Sequence, residues 1–378
     1  MNHSTKLFRI FGIDIQLHFS WWFIFFLLTW SLSTSFFPPF FPGYTQKTYW
    51  LMGILASLLL FISVLLHELS HSLVAKAKKI QVKSITLFFF GGVAGITKED
   101  MKPSSEFQMA IAGPLFSLLL GTVFYFIYKL DVNGFWTAIT FYLYQLNFTL
   151  GIFNLIPGFP LDGGRAFRAI LYAYFKDLTK ATRIAAGGGK LFAVVLIMLG
   201  IVGLFGGAGG GIWFILIGGF LYFIAGVSYE QVVVKEVLSS ISIKELMVSE
   251  IPTIDPAMSF EEFLQNHARK GDDLFFVKND TFAGIIDVKR LQPLSQKMQQ
   301  LLKVKQLSLP LSQIKGITTK SNAYNAFHLC NEQNVDVLPV LEGKKTVGFV
   351  TRKAITNRLV LDLRFGFLHK KVLGGSGK

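Results

Sequence analysis

The chain has 378 residues, 52% hydrophobic and only 16% charged, with 39 phenylalanines and a formal net charge of +14. That apolar load excludes an ordinary soluble protein, and a single cysteine, Cys330, excludes a disulfide-stapled secreted domain. Charged residues crowd into a few short stretches and the C-terminal third, so the composition describes a polytopic α-helical membrane protein with a soluble α/β appendage.

Runs free of Asp, Glu, Lys and Arg lie between Asp14 and Lys47, Lys47 and Glu68, Glu106 and Lys129, Asp131 and Asp162, and Lys190 and Glu230. Each is long enough for a spanning helix, which needs about 20 apolar residues. The last run carries Gly206-Gly207-Ala208-Gly209-Gly210-Gly211 and reads as two helices joined by a glycine hairpin. About six transmembrane helices result, and the first is too long to be a cleaved signal. Lys76, Lys78, Lys79, Lys83, Lys98 and Lys102 cluster after the second run, and Arg165, Arg168, Lys176, Lys180, Arg183 and Lys190 after the fourth. The alternate connections are nearly free of basic residues. The positive-inside bias therefore predicts a multi-pass cell-membrane protein with both termini and the soluble module cytoplasmic. Anionic lipid at that face accounts for the basic loops, and no nucleic-acid partner is needed.

The second run continues without proline or charge into His67-Glu68-Leu69-Ser70-His71. Two histidines at i and i+4 share one helical face, so both imidazoles reach one metal while Glu68 stays beside it. Three ionisable residues within a spanning helix cost about 2.5–3.5 kcal/mol each unless compensated, and a metal supplies the compensation. The alternative is a helix end whose polar side chains snorkel to the interface. A catalytic zinc takes three protein ligands and keeps one position open. His3, His18, His267, His328 and His369 lie in the termini, the first span or the soluble part, which leaves Asp162 as the better third ligand. It follows Asn154-Leu155-Ile156-Pro157-Gly158-Phe159-Pro160-Leu161, where prolines and glycines break the helix; such backbone is tolerated at membrane depth when buried in protein or lining a wet cavity. Asp162 reads equally as the N-cap of a helix over 165–175.

His67-Glu68-x-x-His71 in one membrane helix, with Asn154-x-x-Pro157 and Leu161-Asp162-Gly163 at the end of another, resembles the site-2 protease family of intramembrane zinc metalloproteases. Phe90-Gly91-Gly92-Val93, Ala112-Gly113-Pro114 and the stretch from Phe11-Gly12-Ile13 agree with it, and the resemblance covers most of residues 1–230. It implies one Zn2+ per chain on His67, His71 and Asp162, Glu68 as catalytic base, and Asn154 contacting substrate backbone or the developing oxyanion. Gly91 and Gly92 would let an extended, unwound substrate strand pair with the hairpin, the alternative being a plain tight turn. The expected activity is regulated cleavage of a transmembrane or membrane-associated protein.

From Ser239 the apolar runs shorten. Leu274–Val277 followed by Gly284–Asp287 recurs as Val337–Val340 followed by Gly348–Thr351, each copy a strand, turn and strand behind a helix, over 259–268 and 323–332. This resembles a tandem pair of cystathionine-beta-synthase (CBS) domains, which in that family often bind adenosine nucleotides. Such sites commonly keep a Thr or Ser after the glycine strand and an Asp three positions later. Here the second copy has Thr351 but Ala354, and the first has Asp287 with Arg290, which favours a structural or homodimerising pair over nucleotide sensing. The expected layout is 1–230 membrane metalloprotease, 231–240 linker, 241–302 and 303–365 the CBS copies, and 366–378 a tail. A CBS-regulated membrane transporter would share the spans but would not need Glu68 between two histidines. A non-catalytic client-binding relative would show damage at Glu68 or a ligand, and none is visible.

Overall fold

The computed structural model describes residues 4–88, 91–96, 101–206, 210–249, 251–268, 273–291, 296–343 and 345–365. Phe90, residues 207–209 within the glycine hairpin, Lys98 and the tail from 366 lie outside the described residues. The chain forms two compact units, Met1–Val232 and Val233–Lys378.

The first unit opens with a hairpin, β1 (Ser4–Ile10) and β2 (Ile13–His18), turned at Phe11 and Gly12, both at positive φ. Helix α1 (Ser20–Ser31) passes through a π-helical turn, Leu32–Phe36, into the short α2 (Phe37–Phe40). Helix α3 (Gln46–Ala77) is 32 residues long, roughly 48 Å at 1.5 Å per residue, so it overshoots a hydrocarbon core of about 30 Å. Its first turn is capped by the Thr45 hydroxyl, which accepts from Thr48 N at 3.3 Å. Strands β3 (Val82–Phe88) and β4 (Gly91–Ile96) follow, then α4 (Pro103–Lys129), α5 (Gly134–Asn154), α6 (Asp162–Phe175), α7 (Leu178–Phe205) and α8 (Gly211–Ser240), which runs on into the second unit.

The sheet order is β1-β2-β3-β4, with β2 and β3 parallel and the outer pairs antiparallel. Parallel neighbours need a long crossover. Here α1 and α3 provide it, crossing the bilayer and returning, so the hairpin and β3 sit on the same face as the C-terminal end of α3. Ile13, Ile15, Val82 and Ile85 close over Leu69 and Ala75 of α3 and Met109 of α4.

Among the described residues, five helices are long and apolar enough to cross a membrane: Ser20–Phe40, Gln46–Ala77, Pro103–Lys129, Leu178–Phe205 and Gly211–Ser240. The run expected between Asp131 and Asp162 forms α5, whose 21 residues suffice in length but include Gln145, Asn147 and Asn154, which lower its hydropathy. Packing against α3 and α4 hides that polarity: Asn147 is fully buried, donating to Leu143 O at 2.8 Å and Ser63 Oγ at 3.2 Å.

In the second unit, α9 (Ile243–Leu246) precedes β5 (Thr253–Ile254), α10 (Phe260–Asn266), β6 (Leu274–Lys278) and β7 (Ala283–Asp287). Then come α11 (Gln296–Leu301), α12 (Val304–Leu307), β8 (Leu309–Pro310), β9 (Ile317–Thr318), α13 (Ala323–Gln333), β10 (Val337–Glu342), β11 (Lys345–Thr351) and α14 (Arg352–Phe365). The helix-strand-strand repeat is present in both copies, in sheets ordered β5-β6-β7-β8 and β11-β10-β9. The copies exchange short segments: Val248, ahead of the first, pairs with Phe349 of the second, and β8 closes the sheet of the first.

Candidate metal centre

On α3, the i and i+4 spacing puts His67 and His71 on the face turned to α4 and α6, and both rings are buried. Their Nε2 atoms are 3.2 Å apart. Asp162 Oδ2 lies 3.2 Å from His67 Nε2 and 3.0 Å from His71 Nε2. Zinc bonds of about 2.0–2.1 Å at tetrahedral angles place neighbouring ligand atoms roughly 3.3 Å apart, so the three donors already stand close to the spacing of a shared ion. The donor set, two imidazoles and a carboxylate, leaves one tetrahedral vertex free. Residues and group fit.

The rings are aimed from behind. His71 Nδ1 meets Met109 O at 2.6 Å, and a carbonyl only accepts, so Nδ1 carries a proton and Nε2 is the ring atom turned to Asp162. His67 Nδ1 lies 2.9 Å from Ser117 Oγ. Met109, Gly113 and Ser117 stand four residues apart on one stripe of α4, and the middle position has no side chain because the imidazoles fill its space. A Cβ on Gly113 would lie 2.7 Å from His67 Nε2 and closer still to His71 Nε2.

Asp162 reaches the histidines because α6 begins there. Leu161, not Asp162, occupies the N-cap position, and Asp162 stands in the first turn, where the helix dipole favours a carboxylate. Gly163 and Gly164 let that turn press onto the backbone of Leu155, Ile156 and Gly158, and Gly188 of α7 lets Pro157 O approach to within 2.7 Å of where a Cβ would be. A further tie holds α6 to α4: buried Glu106 accepts from Arg168 Nε at 2.9 Å and from Arg168 Nη2, and the guanidinium lies 5.0 Å from the Phe159 ring. Sequence reasoning missed Glu106, Ser117, Met109 and the pairing of Arg168. The signal for Glu106 was a lone acid ahead of an apolar span, and the signal for Met109 and Ser117 was the four-residue stripe around Gly113.

Glu68 is half-buried beside the cluster, with β4 against it: a Cβ on Gly92 would be 2.5 Å from Glu68 Cγ. Gly91 has φ +127 and open space around it. Asn154 ends α5, donating from Nδ2 to Leu150 O at 3.0 Å. In the second unit, Thr351 Oγ1 accepts from Ala354 N at 3.0 Å at the start of α14, and Asp287 accepts from Lys289 N at 3.1 Å. Asp273 joins the two copies, 2.7 Å from Lys289 Nζ and 3.5 Å from Lys353 Nζ. The hydrogen bond from Lys289 holds its carboxyl below the usual carboxylate range.

The chain matches the model of Peptidase family M50 over residues 55–133 and 128–199, stretches that contain His67, Glu68, His71, Asn154 and Asp162. Zinc metalloprotease MJ0392 of Methanocaldococcus jannaschii is 32% identical over 371 residues, which are 96% of this chain and 98% of that protein. Rip3 of Mycobacterium tuberculosis is 31% identical over 323 residues, 83% of this chain and 82% of Rip3. Among solved structures, the Site-2 Protease from Methanocaldococcus jannaschii is 34% identical, covering 60% of this chain and 95% of its own at a TM-score of 0.41. The CBS domain of a bacterial CNNM/CorC family Mg2+ transporter in complex with ATP is 16% identical, covering 34% of this chain and 94% of its own at a TM-score of 0.30.

Proposed function

The chain belongs to Peptidase family M50 and is an intramembrane zinc metalloprotease, and on that footing we propose that His67, His71 and Asp162 hold one zinc ion and that Glu68 is its catalytic base. The observation that carries this reading is the convergence of three ligand atoms within 4.8 Å of one another on α3 and α6. What zinc supplies in such a site is Lewis acidity, which acidifies water and polarises a carbonyl.

Glu68 accepts the proton of the attacking water and returns it to the leaving amine. Gly92 bears on this directly, because its missing side chain lets β4 pack on the Glu68 stem and limits where the carboxylate can go. As an edge strand, β4 has a row of backbone N–H and C=O groups that β3 does not use. A helical substrate must unwind to expose its scissile bond, and its freed backbone groups then need partners, which this edge offers at Gly91 and Gly92. Asn154 keeps a second amide hydrogen beyond the one given to Leu150 O and serves the substrate backbone or the developing oxyanion.

The substrate is a transmembrane or membrane-associated protein. Both termini and the second unit face the cytoplasm, by the lysine and arginine bias of the loops, so cleavage releases a cytoplasmic part. The second unit regulates or homodimerises, with Thr351 the candidate contact for an adenosine nucleotide. Its hydroxyl already caps α14, which weighs towards the dimerising role.

The test is cleavage of a model single-span substrate by purified protein, with bound zinc counted. Glu68→Gln should keep zinc near one per chain and lose cleavage by about 10²- to 10⁴-fold. A variant that cleaves at the wild-type rate would remove Glu68 from its role, and absence of zinc from the wild type would remove the ligand assignment.

A further inference from the structure

An open cleft of about 580 Å³ lies between the β1–β2 hairpin and the segment that leads from α3 into β3. Its walls include Arg9, Lys76, Lys79 and Lys83, with Asp14 the one carboxylate. That carboxylate is already engaged, by Lys6 Nζ at 2.8 Å and Arg9 Nε at 3.3 Å. Lys76 Nζ donates to Phe11 O across the cleft, tying the hairpin turn to α3. Lys79 and Lys83 are exposed, and neither has a carboxylate within ion-pair distance among the described residues. The cleft is therefore a cation-rich concavity with two ammonium groups that pair with no carboxylate among the described residues.

Its surroundings say what kind of anion fits. Strand β2 ends at His18 and α1 begins at Ser20, and the start of that helix exposes Phe19 and Trp22, an aromatic pair of the kind that settles at a membrane interface. The hairpin itself exposes Leu7, Phe8 and Phe11. Parallel pairing of β2 with β3 puts the C-terminal end of α3 at this same face. Apolar side chains and these lysines at one interface match the two halves of an acidic lipid.

We propose that this cleft is a binding site for the phosphate headgroup of an anionic phospholipid, whose acyl chains lie against the exposed apolar side chains of the hairpin. Lys79 and Lys83 take the phosphate oxygens while Lys76 and Arg9 hold the hairpin in place. Because α3 carries His71 five residues before Lys76, an occupied cleft anchors the helix of the metal centre at a set depth. The site stands on its own groups and does not depend on the ligand assignment at zinc.

The test is native mass spectrometry of the full-length protein in detergent, titrated with phosphatidylglycerol or phosphatidylcholine, for wild type, Lys79→Gln/Lys83→Gln and Lys79→Arg/Lys83→Arg. Both lysines are on the surface, and the zinc content of each variant reports that the fold is kept. A basic residue near an anionic lipid contributes about fivefold in affinity. The glutamine pair should therefore lose phosphatidylglycerol adducts by roughly 20-fold or more, while the arginine pair retains them and phosphatidylcholine stays weak throughout. Equal phosphatidylglycerol binding by wild type and the glutamine pair would overturn the proposal, as would equal binding of the two lipids by wild type. Displacement of phosphatidylglycerol by low-millimolar inorganic phosphate would reassign the cleft to a free phosphate ion and overturn the lipid assignment.

Discussion

Gly113→Ala puts a methyl group where the two imidazoles meet. The added Cβ would lie 2.7 Å from His67 Nε2, and closer to His71 Nε2, against an ordinary contact distance of 3.4 Å or more. The rings must therefore retreat by at least roughly 0.7 Å. They are not free to do so, because His71 Nδ1 is held by Met109 O and His67 Nδ1 lies against Ser117 Oγ, both on the helix that carries the new methyl. Bonds to zinc are about 2.0–2.1 Å long, so a displacement of that size removes an imidazole from the set. Misorienting a ligand through its outer contacts alone costs about 10- to 100-fold in metal affinity, and ejecting one should cost at least about 100-fold. Helix stability moves the other way, since alanine favours a helix interior over glycine by about 1 kcal/mol. Overpacking costs about 1–3 kcal/mol, so the expected result is a protein that still folds without metal, at an unfolding temperature at most modestly below that of wild type, and that loses zinc to a chelator that wild type resists. Gly219→Ala, where nothing lies within 4 Å of the new methyl, is the control and should keep its zinc. A Gly113→Ala protein with one zinc per chain and wild-type affinity would refute the geometry.

Glu106→Gln leaves the partly buried Arg168 without its counter-charge; breaking a fully buried pair costs about 3–5 kcal/mol, which is the upper bound for this one. Thermal unfolding should fall and zinc should be lost with it, because Arg168 is on the helix that begins at Asp162. Replacing both residues, Glu106→Leu with Arg168→Met, should restore most of the unfolding temperature, and an unchanged temperature in the single variant would count against a stabilising tie between them. Asp273 in the second unit has its carboxyl held below the usual range by the Lys289 hydrogen bond, so its contribution is present above about pH 4 and fades as pH falls through the lowered value. Asp273→Asn should therefore unfold somewhat earlier than wild type at pH 7, and the gap should narrow as pH falls below the usual carboxylate range; a gap that stays the same size as the medium is acidified would contradict the linkage.

What could be read from the residues alone was what depends on near neighbours in the chain. Apolar runs, the i and i+4 spacing of His67 and His71 with Glu68 beside them, and the strand-turn-strand repeat around Gly284 and Gly348 are periodicities of 3.6 or 2 residues, and helices and strands express them directly. Asp162 marks the limit of that reading. A carboxylate at the start of a helix can cap it or turn away to a ligand, and nothing local distinguishes the two. Packing of α6 against α3 and α4 puts Leu161 at the cap and Asp162 Oδ2 beside two imidazoles far away in the chain. The same holds for Glu106 with Arg168, for the stripe of Met109, Gly113 and Ser117, and for the cleft between the hairpin and the end of α3. The crossover through α1 and α3 brings β2 beside β3 and so creates that cleft. Local pattern sets which faces are apolar and which residues share them, while contacts between distant segments arise only when those faces close on one another.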